Sequence, residues 1–457
     1  MTKNVSPPNG GRPLFSPRPE LGVSHGHSMT PLLTMHEEIQ PPFDPARAVY
    51  EAERCLECGQ TGVPAPCTVA CPAGIDVPGF IRNIRLGRLS EAQDIVFAEN
   101  PLAGTCARVC PTPVLCEGAC VLNHIGLRPV AVGRLQRMAA DWSEPSRGAP
   151  PQRSSPRIAQ VAVVGAGPSG LACAQALSAQ GVTVTVYDAA PSAGGLVCTA
   201  IAPYRQPDGS LAAEIQRLEA SGGVRFEFNR PMTTREDFRR LEDRHAAIFL
   251  GVGLGPDKAI TIPGHHLAGV WAALPFIERA KTGDWTPRAE HLIVIGAGNT
   301  AIDVAREGIR LGIPEVTILY RRTPDKMRAY PYEVREAVQE GVRFQWQVEV
   351  QEILGTWRVT GVRCRRTGAG GDALLELSAD FVVSAIGQQP RSDLSQLIDG
   401  LAWNGSRLVV DPASGQTGNP RYYAAGDLIG GTTVVEAVRG AKVAARAIVQ
   451  SVRRNAG

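Results

Sequence analysis

Four patterns of apolar and polar positions follow one another along the chain. Residues 1–45 are rich in Pro, Gly, Ser and Thr and show no apolar period, which predicts a disordered tail. Residues 46–142 carry short helical patterns, such as Val77–Leu86 and Ser90–Glu99, set between cysteine pairs. Residues 143–157, rich in Ser, Pro and Arg, read as a linker. From Ile158 onward apolar runs alternate with helical patterns, the signature of an α/β fold. Within that region a strand–glycine–helix unit occurs twice, 131 residues apart.

The first unit reads QVAVVGAGPSGLACAQALSAQGVTVTVYD. An apolar strand runs into Gly165, Gly167 and Gly170, and a second strand ends in Asp188. Gly165 permits the tight turn, Gly167 lets backbone approach a pyrophosphate, and Gly170 lets helix pack on strand. The helix N-terminus faces the anion, and Asp188 can accept from ribose hydroxyls. Gly194, Gly195 and Leu196 follow, where backbone must again come close to a cofactor. Near the C-terminus, Gly426 and Asp427 end a strand and Thr433 opens a helix. Asp427 can accept from a ribityl hydroxyl, and the helix N-terminus can face the electron-rich edge of a flavin. These pieces assign FAD to the first unit, with Ala166, Ser169 and Arg205 counted in its site.

The second unit reads HLIVIGAGNTAIDVAREGIRLGIPEVTILYRR. Gly296, Gly298 and Ala301 take the fingerprint positions, with Ala297, Asn299 and Thr300 between them. Its second strand ends in Arg321 and Arg322 rather than an acid. Arginine there can pair with the 2′-phosphate of NADPH, which a carboxylate would repel, so NADP is favoured and NAD stays possible. Two solvated arginines at a strand end are the alternative.

Eight of the eleven cysteines fall between Cys55 and Cys120. In a chain of 457 residues such clustering points to metal or redox chemistry rather than a disulfide scaffold. The spacing is Cys55-x2-Cys58-x8-Cys67-x3-Cys71-Pro, then Cys106-x3-Cys110-Pro-x4-Cys116-x3-Cys120. Thiolates suit iron–sulfur clusters or zinc, and proline after Cys71 and Cys110 matches the bacterial ferredoxin pattern. Beside a flavin, clusters are the natural one-electron exit. A net charge of +3 and 5% aromatic residues disfavour nucleic acid. The absence of a long apolar run or a leader h-region predicts no membrane span and a cytoplasmic location.

At these residues, 158–457 resemble the two-dinucleotide-binding-domain, glutathione reductase-like flavoproteins. The resemblance implies an NADPH domain inserted in the FAD domain, an α/β fold with an N-terminal α-helical Fe–S domain. Expected boundaries are 158–270 for the first part of the FAD domain, 271–390 for the NAD(P)H domain, and 391–457 for the rest. Leu250–Gly255 and Ala385–Gly387 resemble the two crossovers, which adds Gly387 to the cofactor site. No Cys-x-x-Cys flanks either fingerprint, so a flavin–disulfide reductase is disfavoured.

Residues 46–457 also resemble the dihydropyrimidine dehydrogenases and the small subunit of glutamate synthase. That likeness implies two [4Fe-4S] clusters. Cys55, Cys58, Cys67 and Cys120 would hold one. Cys71, Cys110, Cys116 and Gln136 would hold the other, leaving Cys106 spare. The family has four residues between its second and third cysteines, and this chain has eight, which puts the first cluster in question. Gln136, Arg328 in the loop after the second fingerprint, and FDPARAVYEAERCLECG lean towards the dihydropyrimidine side. The expected function is hydride transfer from NADPH to FAD, with electrons leaving singly through the clusters to a partner chain and no catalytic acid or base. That partner would be an FMN-bearing barrel chain, or the glutamate synthase large chain in the alternative. A stand-alone NADPH:ferredoxin-type reductase is a second alternative.

Overall fold

A computed structural model describes residues 38–59, 62–142, 158–207, 209–368 and 373–456. The expected linker at 143–157 and the tail up to residue 37 lie outside them.

A five-stranded parallel sheet runs in the order Tyr422–Ala424, Ala247–Leu250, Gln160–Val164, Thr183–Tyr187, Val224–Glu227. Strands Gln160–Val164 and Ala247–Leu250 read as continuous apolar runs because helices and loops cover both faces. Helix Pro168–Ser178 lays Ala172, Cys173, Ala174 and Leu177 on the sheet beside Val438, Ala441, Ala445 and Ile448 of the long helix Val434–Ala456. Small residues dominate this contact because the glycine turn brings helix and strand together. A Cβ at Gly170 would lie 1.9 Å from the Gly165 carbonyl oxygen.

The second parallel sheet, Val270–Ala272, Phe381–Ser384, His291–Ile295, Glu315–Tyr320, Arg343–Trp346, is built wholly from the chain between strands Ala247–Leu250 and Tyr422–Ala424 of the first. It is therefore an insertion, as the motif order demanded. An antiparallel sheet of Val348–Gly355, Val359–Arg366 and Leu374–Ser378 extends it. The two crossovers bond to each other: Gly255 N–H donates to Gln389 O at 2.9 Å and Lys258 N–H to Gly387 O at 2.8 Å.

The cysteine region is helical, with helices Pro45–Glu53, Pro66–Ala70, Val77–Arg85, Leu89–Glu99, Ala103–Val109 and Val132–Asp141. Proline at the first turn and an Asp cap start two of them, with Asp44 accepting from Arg47 N–H and Asp76 from Gly79 N–H. Helix Val77–Arg85 buries Val77, Phe80, Ile81 and Ile84, the i, i+3, i+4, i+7 stripe its pattern predicted. These residues join the core of the first sheet, so cluster region and flavin fold share one apolar interior.

The expected tail extends too far inward, to residue 45. Residues 38–44 are docked, through an ion pair of Glu38 with Arg137 at 2.5 Å, a bond from Ile39 N–H to Tyr204 O at 3.1 Å, and the buried ring of Phe43. These are tertiary and mainly polar contacts, which leave no apolar period in the sequence.

Candidate functional site

The first glycine turn opens a cavity of about 620 Å³. Gly165 has φ +102° and its would-be Cβ lies 2.4 Å from Gly251 O, so only glycine fits. Gly165, Gly167, Ser169, Asp188, Gly195, Leu196, Gly426, Asp427 and Thr433 all line the cavity. Asp188 is fixed by its own backbone: its carboxylate accepts from Ala166 N–H at 2.6 Å and Ala190 N–H at 2.7 Å, leaving lone pairs for hydroxyl donors. Burial, then the neighbouring Glu436, pushes Asp427 up to about 6, as befits an acceptor short of solvent.

Three expected residues serve the cavity from outside its wall. Gly170 packs, Gly194 bonds through its N–H to Ala166 O at 2.8 Å, and Ala166 sits beneath the turn with no exposure. Arg205 does not line either dinucleotide cavity. Its guanidinium is held by Asp303 at 2.6 Å and Glu333 at 2.7 Å, pairing the flavin fold with helices Asn299–Arg310 and Pro331–Gln339 of the inserted domain. A charged residue near a cofactor motif is equally suited to an interdomain ion pair, and only the packing tells which. Beside it the buried Tyr204 donates to Asp303 at 2.7 Å and lies under the guanidinium groups of Arg306 and Arg310.

The second turn opens a cavity of about 560 Å³ lined by Gly296, Ala297, Gly298, Thr300, Arg321, Arg322, Arg328 and Gly387. A Cβ at Gly296 would reach Ala385 O at 2.3 Å, whereas one at Gly298 or Gly387 would meet nothing within 4 Å. The first glycine is needed for the fold; the others border open space the size of a dinucleotide. Asn299 and Ala301 support from behind, the one accepting from Tyr330 N–H at 3.1 Å and the other fully buried. Glu349, which no motif announces, also faces this cavity, held by Arg365 at 2.9 Å with Arg321 at 3.8 Å.

The cysteines divide into two groups. Cys55, Cys58, Cys67 and Cys120 surround one apolar cavity. Cys71, Cys110, Cys116 and Gln136 surround another, together with Cys106. The long Cys58–Cys67 segment turns at Gly59 and Gly62, both at positive φ, and brings Cys67 back to the ring at the start of helix Pro66–Ala70. Among the described residues no three His, Cys, Asp or Glu side chains converge tightly enough for a single metal ion. The thiols stand around spaces instead. Burial first, then neighbouring thiols, pushes Cys67 up to about 12, and burial raises Cys55, Cys71 and Cys116 as well. Such thiols need a cationic partner to ionise, and a soft metal centre such as an iron–sulfur cluster would supply it, so the donor sets fit that kind of group. Gln136 donates its amide N–H to Ala103 O at 2.7 Å, leaving its oxygen as the available donor atom.

The two kinds of cavity meet at one helix turn. Thr432, Thr433, Val434 and Ala437 face the first dinucleotide cavity, and Val435 faces the cavity of Cys71, Cys110 and Cys116. Among the described residues no helix is long and apolar enough to cross a membrane.

A family model described as dihydropyrimidine dehydrogenase domain II, 4Fe-4S cluster, matches residues 33–147, and one described as pyridine nucleotide-disulphide oxidoreductase matches residues 159–447. The chain is 32% identical over 441 residues to the glutamate synthase [NADPH] small chain of Azospirillum brasilense, with 90% of each covered. It is 32% identical over 415 residues to the NAD-dependent dihydropyrimidine dehydrogenase subunit PreT of Escherichia coli K12, covering 90% of this chain and 96% of that one. It is 34% identical to the NADPH-Fe(3+) oxidoreductase subunit beta of Geobacter sulfurreducens, covering 84% of this chain and 63% of that one. Its fold is like that of Mycobacterium tuberculosis FprA, solved in complex with NADPH, with TM-score 0.54 at 20% identity over 66% of this chain and 85% of that one.

Proposed function

This chain belongs to the pyridine nucleotide-disulphide oxidoreductase family as an NAD(P)H-dependent oxidoreductase with a 4Fe-4S domain ahead of its flavin fold, and on that premise we propose that it is the NADPH-oxidising subunit of a dihydropyrimidine dehydrogenase-type enzyme. When bound, FAD would supply a hydride acceptor that can release single electrons, and iron–sulfur clusters would supply one-electron carriers.

The observation that carries this reading is the shared helix start at Thr433–Val435, which borders the flavin cavity on one side and a cysteine cavity on the other. In our assignment Gly165, Gly167, Asp188, Gly195 and Asp427 hold FAD. Gly296, Gly298, Arg321, Arg322 and Arg328 hold the nicotinamide dinucleotide. The two cysteine groups would each hold a [4Fe-4S] cluster, and the cavity of Cys71, Cys110, Cys116 and Gln136 is the one that shares the helix start with the flavin cavity. The protein's work is positioning, electrostatics and exclusion of water, and it needs no acid–base dyad. The electron acceptor is a separate chain, and an FMN-bearing barrel subunit acting on a pyrimidine fits the glutamine at position 136.

Iron, acid-labile sulfide and flavin per anaerobically purified chain test the cofactor assignment. About eight iron with one FAD supports two clusters at four iron each. Stoichiometric zinc without iron refutes it. NADPH-dependent reduction of uracil on adding a barrel subunit tests the partner. The match to a glutamate synthase small chain along 90% of both sequences favours a second reading. In that case glutamate forms from glutamine and 2-oxoglutarate once a glutamate synthase large chain is added, and uracil is not reduced.

A further inference from the structure

The helix Ala103–Val109 leads into Cys110, and its start is held by a side chain from the flavin fold. Glu214, on helix Ser210–Ala220 and 4% exposed, accepts from Gly104 N–H at 2.8 Å, from Thr105 N–H at 3.2 Å and from the Thr105 hydroxyl at 2.5 Å. Gln206 Nε2 adds a bond to the same hydroxyl at 3.1 Å. One residue earlier, Ala103 O receives the Gln136 amide N–H at 2.7 Å. The carboxylate and the Gln136 side chain therefore grip adjacent residues of one helix turn. Fixing the Gly104 and Thr105 amides fixes the Ala103 carbonyl, and that carbonyl decides which way the Gln136 amide turns. The charge that acts on Glu214 is that of Arg108, which is itself committed to Gly104 O at 3.0 Å, to Asp141 at 2.6 Å and to Glu38 at 3.7 Å. A buried carboxylate so placed also acts electrostatically on the cavity that Cys106 and Cys110 line.

We propose that Glu214 is a positioning residue for the cluster ligated by Cys71, Cys110, Cys116 and Gln136: it holds the ligand helix to the flavin fold, keeps the Gln136 oxygen turned to the cavity, and makes that cluster harder to reduce. The inference rests on the ligand assignment given under Proposed function. Nothing in the cysteine motif points to it, since the residue lies 98 positions beyond Cys116.

The test compares the full, anaerobically purified chain with its Glu214→Gln and Glu214→Asp variants, using the electron paramagnetic resonance spectrum after dithionite reduction and a redox titration of each cluster. Burial pushes Glu214 up to about 7, so the titration is run at pH 8.5, where it is ionised. There Glu214→Gln is expected to change the signal of one cluster only and to move its midpoint to more positive potential, because a negative charge has gone. The other cluster and the flavin should titrate as in the wild type. Glu214→Asp, which keeps the charge, should return the midpoint towards the wild-type value. Identical spectra and midpoints in wild type and Glu214→Gln overturn the proposal. So does a variant that loses flavin and both clusters together, since that is a folding defect without selectivity. A wild-type chain with only one cluster's iron fails at the ligand assignment instead, and is recognised before any variant is made.

Discussion

Replacing Arg321 and Arg322 together by alanine should remove the preference for NADPH and leave the use of NADH nearly intact. Both residues follow strand Glu315–Tyr320 and line the second cavity with Arg328. A hydrogen bond to a charged group contributes about 1.5–3 kcal/mol. Arg321 is 62% exposed and Arg322 is exposed as well, so each share falls to about 1 kcal/mol. The pair then supplies about 2 kcal/mol, or roughly 30-fold in kcat/KM for NADPH. Glu349 strengthens the effect. With Arg321 gone it keeps Arg365 as partner but stands bare towards an incoming phosphate. NADH carries no 2′-phosphate and should change by less than about 3-fold, within the scatter of an exposed polar substitution. The assay is steady-state oxidation of each nucleotide with ferricyanide, which bypasses the partner chain. An equal loss for both nucleotides would refute the reasoning, as would a wild type that prefers NADH.

Three further outcomes follow from the geometry. Gly165→Ala places a methyl 2.4 Å from Gly251 O at a residue with φ +102°, and should give protein that keeps its iron but lacks FAD, read from the fluorescence of flavin released on denaturing the purified chain. Cys106→Ser should keep the wild-type iron content while Cys110→Ser loses the iron of one cluster, because Cys106 is the spare thiol of its ring; equal losses would reverse that assignment. Glu307 is fully buried, neither of its oxygens has a hydrogen-bond partner among the described residues, and burial pushes it up to about 7. Between 4.5 and about 7 the folded chain therefore binds more protons than the unfolded one, so this residue's contribution to stability is best at low pH and is lost as pH rises through about 7. Glu307→Gln should raise the melting temperature at pH 8 by removing a cost on the order of 3 kcal/mol, and should give a much smaller gain at pH 5, where the cost is below about 1 kcal/mol. A gain that is the same at both values would show that packing, not charge, is responsible.

Much of this protein is set by local chemistry, and that part is legible along the chain. Gly165, Gly296 and Gly170 are required by close backbone approaches within a strand–turn–helix unit, so the turns, their helices and the dinucleotide cavities can be read from a few consecutive residues. The insertion follows from motif order alone, because flavin motifs flank the second fingerprint. The cysteine spacing likewise limits the chemistry to soft-metal ligation.

Tertiary structure decided what depends on residues far apart in sequence. The long Cys58–Cys67 segment was a reason to question one ring, and its two positive-φ glycines turn it back so that Cys67 rejoins Cys55, Cys58 and Cys120. Arg205 turned from candidate cofactor ligand into an interdomain ion pair because Asp303 and Glu333, roughly a hundred residues on, meet it first. Residues 38–44 are ordered by contacts to Arg137 and Tyr204, and these leave no periodic trace. Glu214 and Glu349 had no motif to mark them, since a single carboxylate in an ordinary helix or strand gains its role only from what the fold places opposite. Periodicity and turn chemistry act over a few residues and fix the elements; polar pairing of Glu51 with the Ala131 N–H, 80 positions on, or of Arg205 with Glu333, 128 positions on, is settled only when the elements pack.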